Sequence, residues 1–149
     1  MCLMANRNVH VFNNTFDKNE TAHVMIVSYT NELKDTECNP LPRDFVIRDN
    51  TYGEGGNNPQ GRLAPLAAVI GGKLPAIVWD GVTSYGAKSE NVKIVIREKP
   101  EVGYINLGLG STPPDFAKAK LSIERQPDAA IEEPAAVVLP EKPAAKEGA

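Results

Sequence analysis

The run Asn91–Lys99 (NVKIVIREK) sets Val92, Ile94 and Ile96 against Lys93, Val95 and Arg97, one apolar face against a mixed one. A period of two belongs to a strand, and this pairing of faces belongs to a sheet packed on one side and partly wet on the other. Lys118–Arg125 (KAKLSIER) repeats the pattern, with Ala119, Leu121 and Ile123 opposite Lys120, Ser122 and Glu124. Thr21–Tyr29 (TAHVMIVSY) is rich in β-branched residues and poor in helix formers, which also reads as a strand. Shorter candidates are Asn8–Phe12, Asp44–Arg48, Ala76–Trp79 and Val102–Leu109, the last carrying glycines that imply a bend or bulge. Gly71-Gly72 reads as a hairpin turn between Leu66–Ile70 and Leu74–Val78. No window of eleven or more residues keeps a helical period without a breaker, and Pro113-Pro114 precede at most one helical turn near Asp115–Lys118. The predicted fold is all-β: an antiparallel β-sandwich or β-barrel-like domain with long loops and an extended C-terminal tail.

The 149 residues fit one domain, divided into an N-terminal arm (1–7), a globular body (8–125) and a tail (126–149). The tail holds four of the 12 prolines and seven alanines, mixed with Glu and Lys. Such a segment buries too little apolar surface to offset its ordering entropy, and its prolines stiffen it into an extended arm. It also carries the whole net charge of −3, since its five acids and two bases leave the preceding residues balanced. Nucleic-acid binders display a basic surplus; none is visible, and Lys and Arg are spread singly. The most apolar stretch, Leu63–Trp79, is broken by Pro65, Gly71, Gly72, Lys73 and Pro75, so no helix there meets the roughly 20 apolar residues of a membrane span. Met1–Asn8 lacks the apolar core of a secretory signal. The two cysteines form no disulfide framework and no Cys-x-x-Cys site. Cys38 reads as a reduced thiol in a loop, and a start at Met4 would remove Cys2 altogether.

Two long polar connections, Thr30–Arg43 and Asp49–Arg62, exceed the usual loop length and read as contact surfaces. Familiar chemistry is harder to place. Gly53-Glu54-Gly55-Gly56 puts an acid where phosphate would sit, and Gly71-Gly72-Lys73 is followed by Leu74 instead of the Ser or Thr of a P-loop; both are turns. A hairpin centred near Phe16 and Asp17 would bring His10 opposite His23, with Asp17 or Glu20 as a third metal ligand; the plainer reading is a pair of half-exposed strand residues. No nucleophile elbow is present, and the sequons at Asn13 and Asn19 read as polar turns. Asp44, Asp49, Glu54 and Asp80 are the carboxylates from which a hydrolase would draw a pair. No catalytic residue, cofactor or metal is assigned. Trp79, the single tryptophan, reads as a core or rim anchor, with stacking against a sugar ring as its functional alternative.

Leu74–Thr83 (LPAIVWDGVT), preceded by Ala64-Pro65-Leu66 and Gly71-Gly72-Lys73, resembles the lambda-type phage head decoration proteins in its Pro-Leu strand, polar turn with Lys-Leu and Trp-Asp-Gly-x-Thr strand end. The N-terminal strands and acidic tail depart from that family. The resemblance implies a small β-rich protein that trimerises and clamps capsid subunits without catalysis. The expectation is therefore a non-catalytic capsid decoration or cement protein, made in the host cytoplasm and resident in the virion. Its partners would be capsid subunits and copies of itself, not nucleic acid or membrane. Tyr52, Asn57, Asn58, Trp79 and Tyr85 are the candidate contacts in the body. Ile131, Val137, Val138 and Leu139 are the anchoring knobs of the tail. The alternative is a β-sandwich that binds carbohydrate or lipid through Trp79, Tyr85, Tyr52 and Asn57-Asn58, in the cytoplasm.

Overall fold

The computed structural model describes residues 1–31, 35, 37–90 and 92–110, together with 135 and 138. Its strands are β1 (Cys2–Met4), β2 (Arg7–Phe12), β3 (Thr15–Phe16), β4 (Val24–Val27), β5 (Arg43–Arg48), β6 (Thr51–Tyr52), β7 (Ile77–Trp79), β8 (Ser84–Tyr85), β9 (Lys88–Ser89), β10 (Ile94–Arg97) and β11 (Tyr104–Asn106). One helix, α1, spans Leu63–Val69.

These strands are not arranged as a sandwich. Sheet A has the order β1-β4-β7-β11, sheet B the order β10-β5-β2 and sheet C pairs β3 with β6. Among the described residues every pairing in the three sheets is parallel, and the β8–β9 hairpin is antiparallel. The chain visits A, B and C in turn, returns to A one strand further along, and repeats. It is a parallel coil. Coil 1 is β1, β2 and β3; coil 2 is β4, β5 and β6; coil 3 contains β7 and β10; β11 opens a fourth. The register is direct: Cys2 pairs with Met25, Met25 with Val78 and Val78 with Ile105.

Corners make this possible. Ala5, Asn13, Lys18 and Asp49 all have φ between 52° and 54°, a left-handed conformation in which Asn and Asp are enriched. A single such residue redirects the strand without the two-residue reversal that a hairpin needs. Asn13 and Asp49 follow the paired Phe12 and Arg48, so the same bend is stacked in consecutive coils. Asn8 and Asp44 likewise share a φ of 54° between the pairs Arg7–Arg43 and Val9–Phe45.

Parallel stacking places like on like. On the inner face of sheet A, Val24, Ile77 and Tyr104 are aligned, and Leu3, Ile26 and Trp79 form the next column. From sheet B, Val9, Phe45 and Ile94 lie beside Val11, Ile47 and Ile96. Together with Phe16 and Tyr52 these residues are the core. Fully burying one such side chain stabilises the coil by about 1.5–3 kcal/mol.

Sheet A is covered on its outer face as well. Leu63, Leu66, Ala67 and Ile70 recur at the spacing of a helical stripe, and they pack with Met25, Val78, Ile105 and Leu107 in a second cluster. Pro65 sits in the first turn, where its missing N–H is harmless. Gly71 and Gly72, at φ 101° and 85°, end α1 with the Gly72 N–H donating to the Ala67 carbonyl at 2.6 Å. The hairpin expected at Gly71-Gly72 is thus a helix terminus, and Leu66–Ile70 is not a strand. Thr51–Tyr52, read as part of a loop, is a strand. The strand expected at Lys118–Arg125 lies outside the described residues. Among the described residues no helix is long and apolar enough to cross a membrane.

Candidate functional site

Among the described residues sheet C has two strands. Coil 3 goes from β10 to β11 through a turn that the Val102 N–H closes on the Lys99 carbonyl at 3.0 Å, and a cleft of about 460 Å³ opens against β6. One wall is Lys73–Ala76, the approach to β7; the other is formed by Lys99 and Glu101–Gly103. The volume falls within the ordinary range for small-ligand sites, about 300–1,000 Å³.

Its floor is an aromatic cluster. Phe16 and Tyr52, paired across sheet C, stack with centroids 5.5 Å apart and planes 22° from parallel. The buried His23 ring meets Tyr52 edge-on at 5.6 Å and lies 6.2 Å from Phe16. His23 shares a hydrogen bond with the Asn19 amide, whose Nδ2 lies 3.0 Å from Nδ1. Burial pushes the imidazole below its usual 6.5, with the Gly53 backbone pulling the other way. The neutral ring therefore accepts at Nδ1 from Asn19 and carries its proton on Nε2. The Tyr52 hydroxyl donates to Glu98 Oε1 at 2.9 Å. Burial, then the Glu98 charge, hold that phenol far above its usual 10.0, so it stays a neutral donor.

Glu98 has further work in the fold. Its two oxygens accept from the backbone N–H and side-chain amide of the buried Asn50, and Asn50 Oδ1 in turn accepts from Asn14. This ladder ties the same corner of three coils together. The polar groups at the base of the cleft are thus engaged inside the protein, while Lys73, Lys99 and Glu101 stand exposed at its rim.

The backbone of the floor has a direction. Thr51 and Gly53 donate their N–H groups to the Asn14 and Phe16 carbonyls of coil 1, at 2.8 and 2.7 Å. Strand alternation then turns the N–H and C=O of Tyr52, between them, toward the cleft.

Coil 1 offers a different surface. Among the described residues its three strands are all sheet edges, and Met1, Met4 and Phe12 on this coil are exposed large apolar side chains.

The expected contact residues are distributed among separate elements. Tyr52 is half-buried in the cleft floor, and Trp79 is half-buried on the inner face of sheet A. Asn57 is exposed; Asn58, also exposed, donates to the Glu20 carbonyl and carboxylate. Tyr85 sits on the β8–β9 hairpin and donates to the Thr30 carbonyl at 2.8 Å. Val138 is exposed, while Ile131, Val137 and Leu139 lie outside the described residues. His10 and His23 do not face each other across a hairpin, because β2 belongs to sheet B and β4, which follows His23, to sheet A. Among the described residues no three His, Cys, Asp or Glu side chains converge as a metal site. Both cysteines are free and exposed.

Sequence reasoning missed His23, Lys73, Glu98 and Glu101 as neighbours of Tyr52. A repeat carries the signal of stacked coils, though not these neighbours: Arg7–Phe16 (RNVHVFNNTF) and Arg43–Tyr52 (RDFVIRDNTY) share Arg, Val or Phe, Asn-Thr and a final aromatic at matching places, and the structure pairs them in that register across sheets B and C. No family model, characterised protein or solved structure matches this chain.

Proposed function

We propose that this chain acts by extended contact with neighbouring protein chains, as a non-catalytic structural component of a larger assembly. The observation that carries this reading is the open end of the coil. Among the described residues, strands β1, β2 and β3 present unpaired edges together, and Met1, Met4 and Phe12 expose apolar surface on the same coil. An uncovered strand edge with apolar side chains is a template for pairing with another chain, and repeat folds need such ends covered. The resemblance of Leu74–Thr83 to phage head decoration proteins makes a capsid shell the first assembly to try, with copies of this chain and capsid subunits as partners.

Light scattering of the full chain tests the reading against a Met4→Glu, Phe12→Glu double variant. The expected result is a defined oligomer, or stable attachment to capsid shells, that the double variant loses while keeping its circular dichroism. A monomer that fails to attach to shells, with or without the substitutions, would overturn the proposal.

A further inference from the structure

Among the described residues sheet A has four strands, sheet B three and sheet C two. The order in which the chain visits them explains the staircase: β11 opens coil 4 in sheet A, and the next strand belongs in sheet B, beside β10. The offset between coils says which residues supply it. β11 lies on β7 at a distance of 27 residues, Ile77 pairing with Tyr104 and Trp79 with Asn106. The bend that follows is repeated at the same offset, in Gly81 and Gly108, at φ 78° and 63°. An identical offset carries Lys93–Pro100 (KIVIREKP) onto Lys120–Pro127 (KLSIERQP). Lys, an aliphatic residue, Ile and Pro recur at matching places, and two charges are exchanged, Arg97-Glu98 answering to Glu124-Arg125. The paths are of equal length too, since fourteen residues separate Trp79 from Ile94 and Asn106 from Leu121.

We infer that Lys118–Arg125 of this same chain, a segment outside the described residues, adds to the edge of β10 as a fourth parallel strand of sheet B, with Leu121 on Ile94 and Ile123 on Ile96. Two further features select this occupant. Leu121 and Ile123 extend the inner columns Val9–Phe45–Ile94 and Val11–Ile47–Ile96, and Ile94, at the end of the first, is only half-buried. Charge decides the rest. Parallel stacking already sets Arg48 on Arg97, and like charges directly opposite are destabilising. Glu124 places an acid against the exposed Arg97, and Arg125 a base against Glu98. A second copy landing here through β2 would instead put Phe12 on Arg97 and offer it no acid. The β10 edge is thus taken by this chain and is not a landing place for a neighbour. The inference does not rest on the assembly proposed for coil 1.

The test uses the full chain with Cys2→Ser and Cys38→Ser, which removes two exposed free thiols, and adds Val95→Cys together with Ser122→Cys. Paired residues of adjacent strands lie about 4.8 Å apart, within the span of a disulfide. Diagonal neighbours two places away lie about 7–8 Å apart, beyond it. Mild oxidation should therefore close a bridge within one chain at least ten-fold faster than when Lys120→Cys or Glu124→Cys replaces Ser122→Cys. Equal rates for the three pairs, or no bridge at all, overturn the inference. A bridge formed between copies also overturns it, since the strand would then come from a neighbour. If the cysteine variants do not fold, the melting temperatures of Arg97→Glu, Glu124→Arg and the double variant decide the matter. The double variant should melt about 2 °C or more above the value to which the two single changes add; simple additivity overturns the pairing. Neither measurement reads contacts through coil 1, so failure here leaves that function standing.

Discussion

Asn50 and Glu98 meet twice across neighbouring coils, the Asn50 backbone N–H donating to Oε2 at 3.1 Å and the Asn50 amide to Oε1 at 2.7 Å. The same amide donates to the Val11 and Arg48 carbonyls at 2.9 Å, and its oxygen accepts from Asn14. One buried side chain satisfies groups on three successive coils. Asn50→Ala strands several of them away from water, and leaving a buried polar group unpaired costs about 1–3 kcal/mol. The expected loss is about 3 kcal/mol in urea unfolding. A loss near that of an ordinary surface substitution, about 0.5 kcal/mol or less, would mean that the ladder does not hold the coils.

His23 makes stability depend on pH. Its folded value lies below 6.5 because burial disfavours the cation, so between the two values the unfolded chain holds more protons than the folded one. Its contribution is full above 6.5, is lost as pH falls toward the folded value, and levels off below it. The buried Asp80 works in the opposite sense, because desolvation raises its carboxyl above 3.8. The informative quantity is therefore the difference between the wild type and His23→Gln. That difference in melting temperature should shrink from pH 7.5 to pH 5; a constant difference would show that the imidazole is not held neutral.

Gly56 and Gly71 separate two costs of a side chain. Both have positive φ, at 72° and 101°. A Cβ on Gly56 would collide with the Leu74 carbonyl, whereas one on Gly71 would meet nothing within 4 Å. Gly71→Ala is expected to cost about 1–2 kcal/mol from the left-handed backbone alone. Gly56→Ala should cost clearly more, because the chain next to the cleft must also shift. Equal losses in thermal unfolding would contradict the close approach.

Helix α1 should prove as necessary as a core strand. Leu66 is buried against the outer face of sheet A, while Val69, three residues on, is 82% exposed. Leu66→Ala is expected to cost about 2–5 kcal/mol through lost burial and a residual cavity. Val69→Lys should stay within about 0.5 kcal/mol. Similar unfolding midpoints for the two variants would mean that α1 is not docked as described.

Much of the strand content was legible, and its direction was not. Alternation in Asp44–Arg48 and Asn91–Lys99 places side chains on faces, but it carries no information about which way the neighbouring strand runs. Turn signals were read as reversals because Gly and Asn serve hairpins and single-residue corners alike. At Asn13 and Asp49 they serve corners. Gly71-Gly72 hid a helix of seven residues, too short for periodicity to declare itself. Of the cleft, Tyr52 is legible as a contact residue and His23 as a candidate metal ligand, but nothing in the sequence places them side by side. His23 and Glu98 join it through the stacking of successive coils, and laying Arg7–Phe16 over Arg43–Tyr52 shows that stacking without placing either residue.

Two long excursions leave the coil at one corner. Between sheets A and B, coil 1 needs only Ala5 and Asn6, but coil 2 spends Ser28–Pro42 and coil 3 spends Asp80–Lys93. The excursions fasten to each other: Asn39 donates to Glu90 at 2.6 Å, and Tyr85 to the Thr30 carbonyl at 2.8 Å. Each coil requires only that its chain return in register, whatever length it travels outside. This flank is thus a natural insertion port, where a foreign epitope or a whole domain grafted at the Gly86 tip would ride on an undisturbed spring.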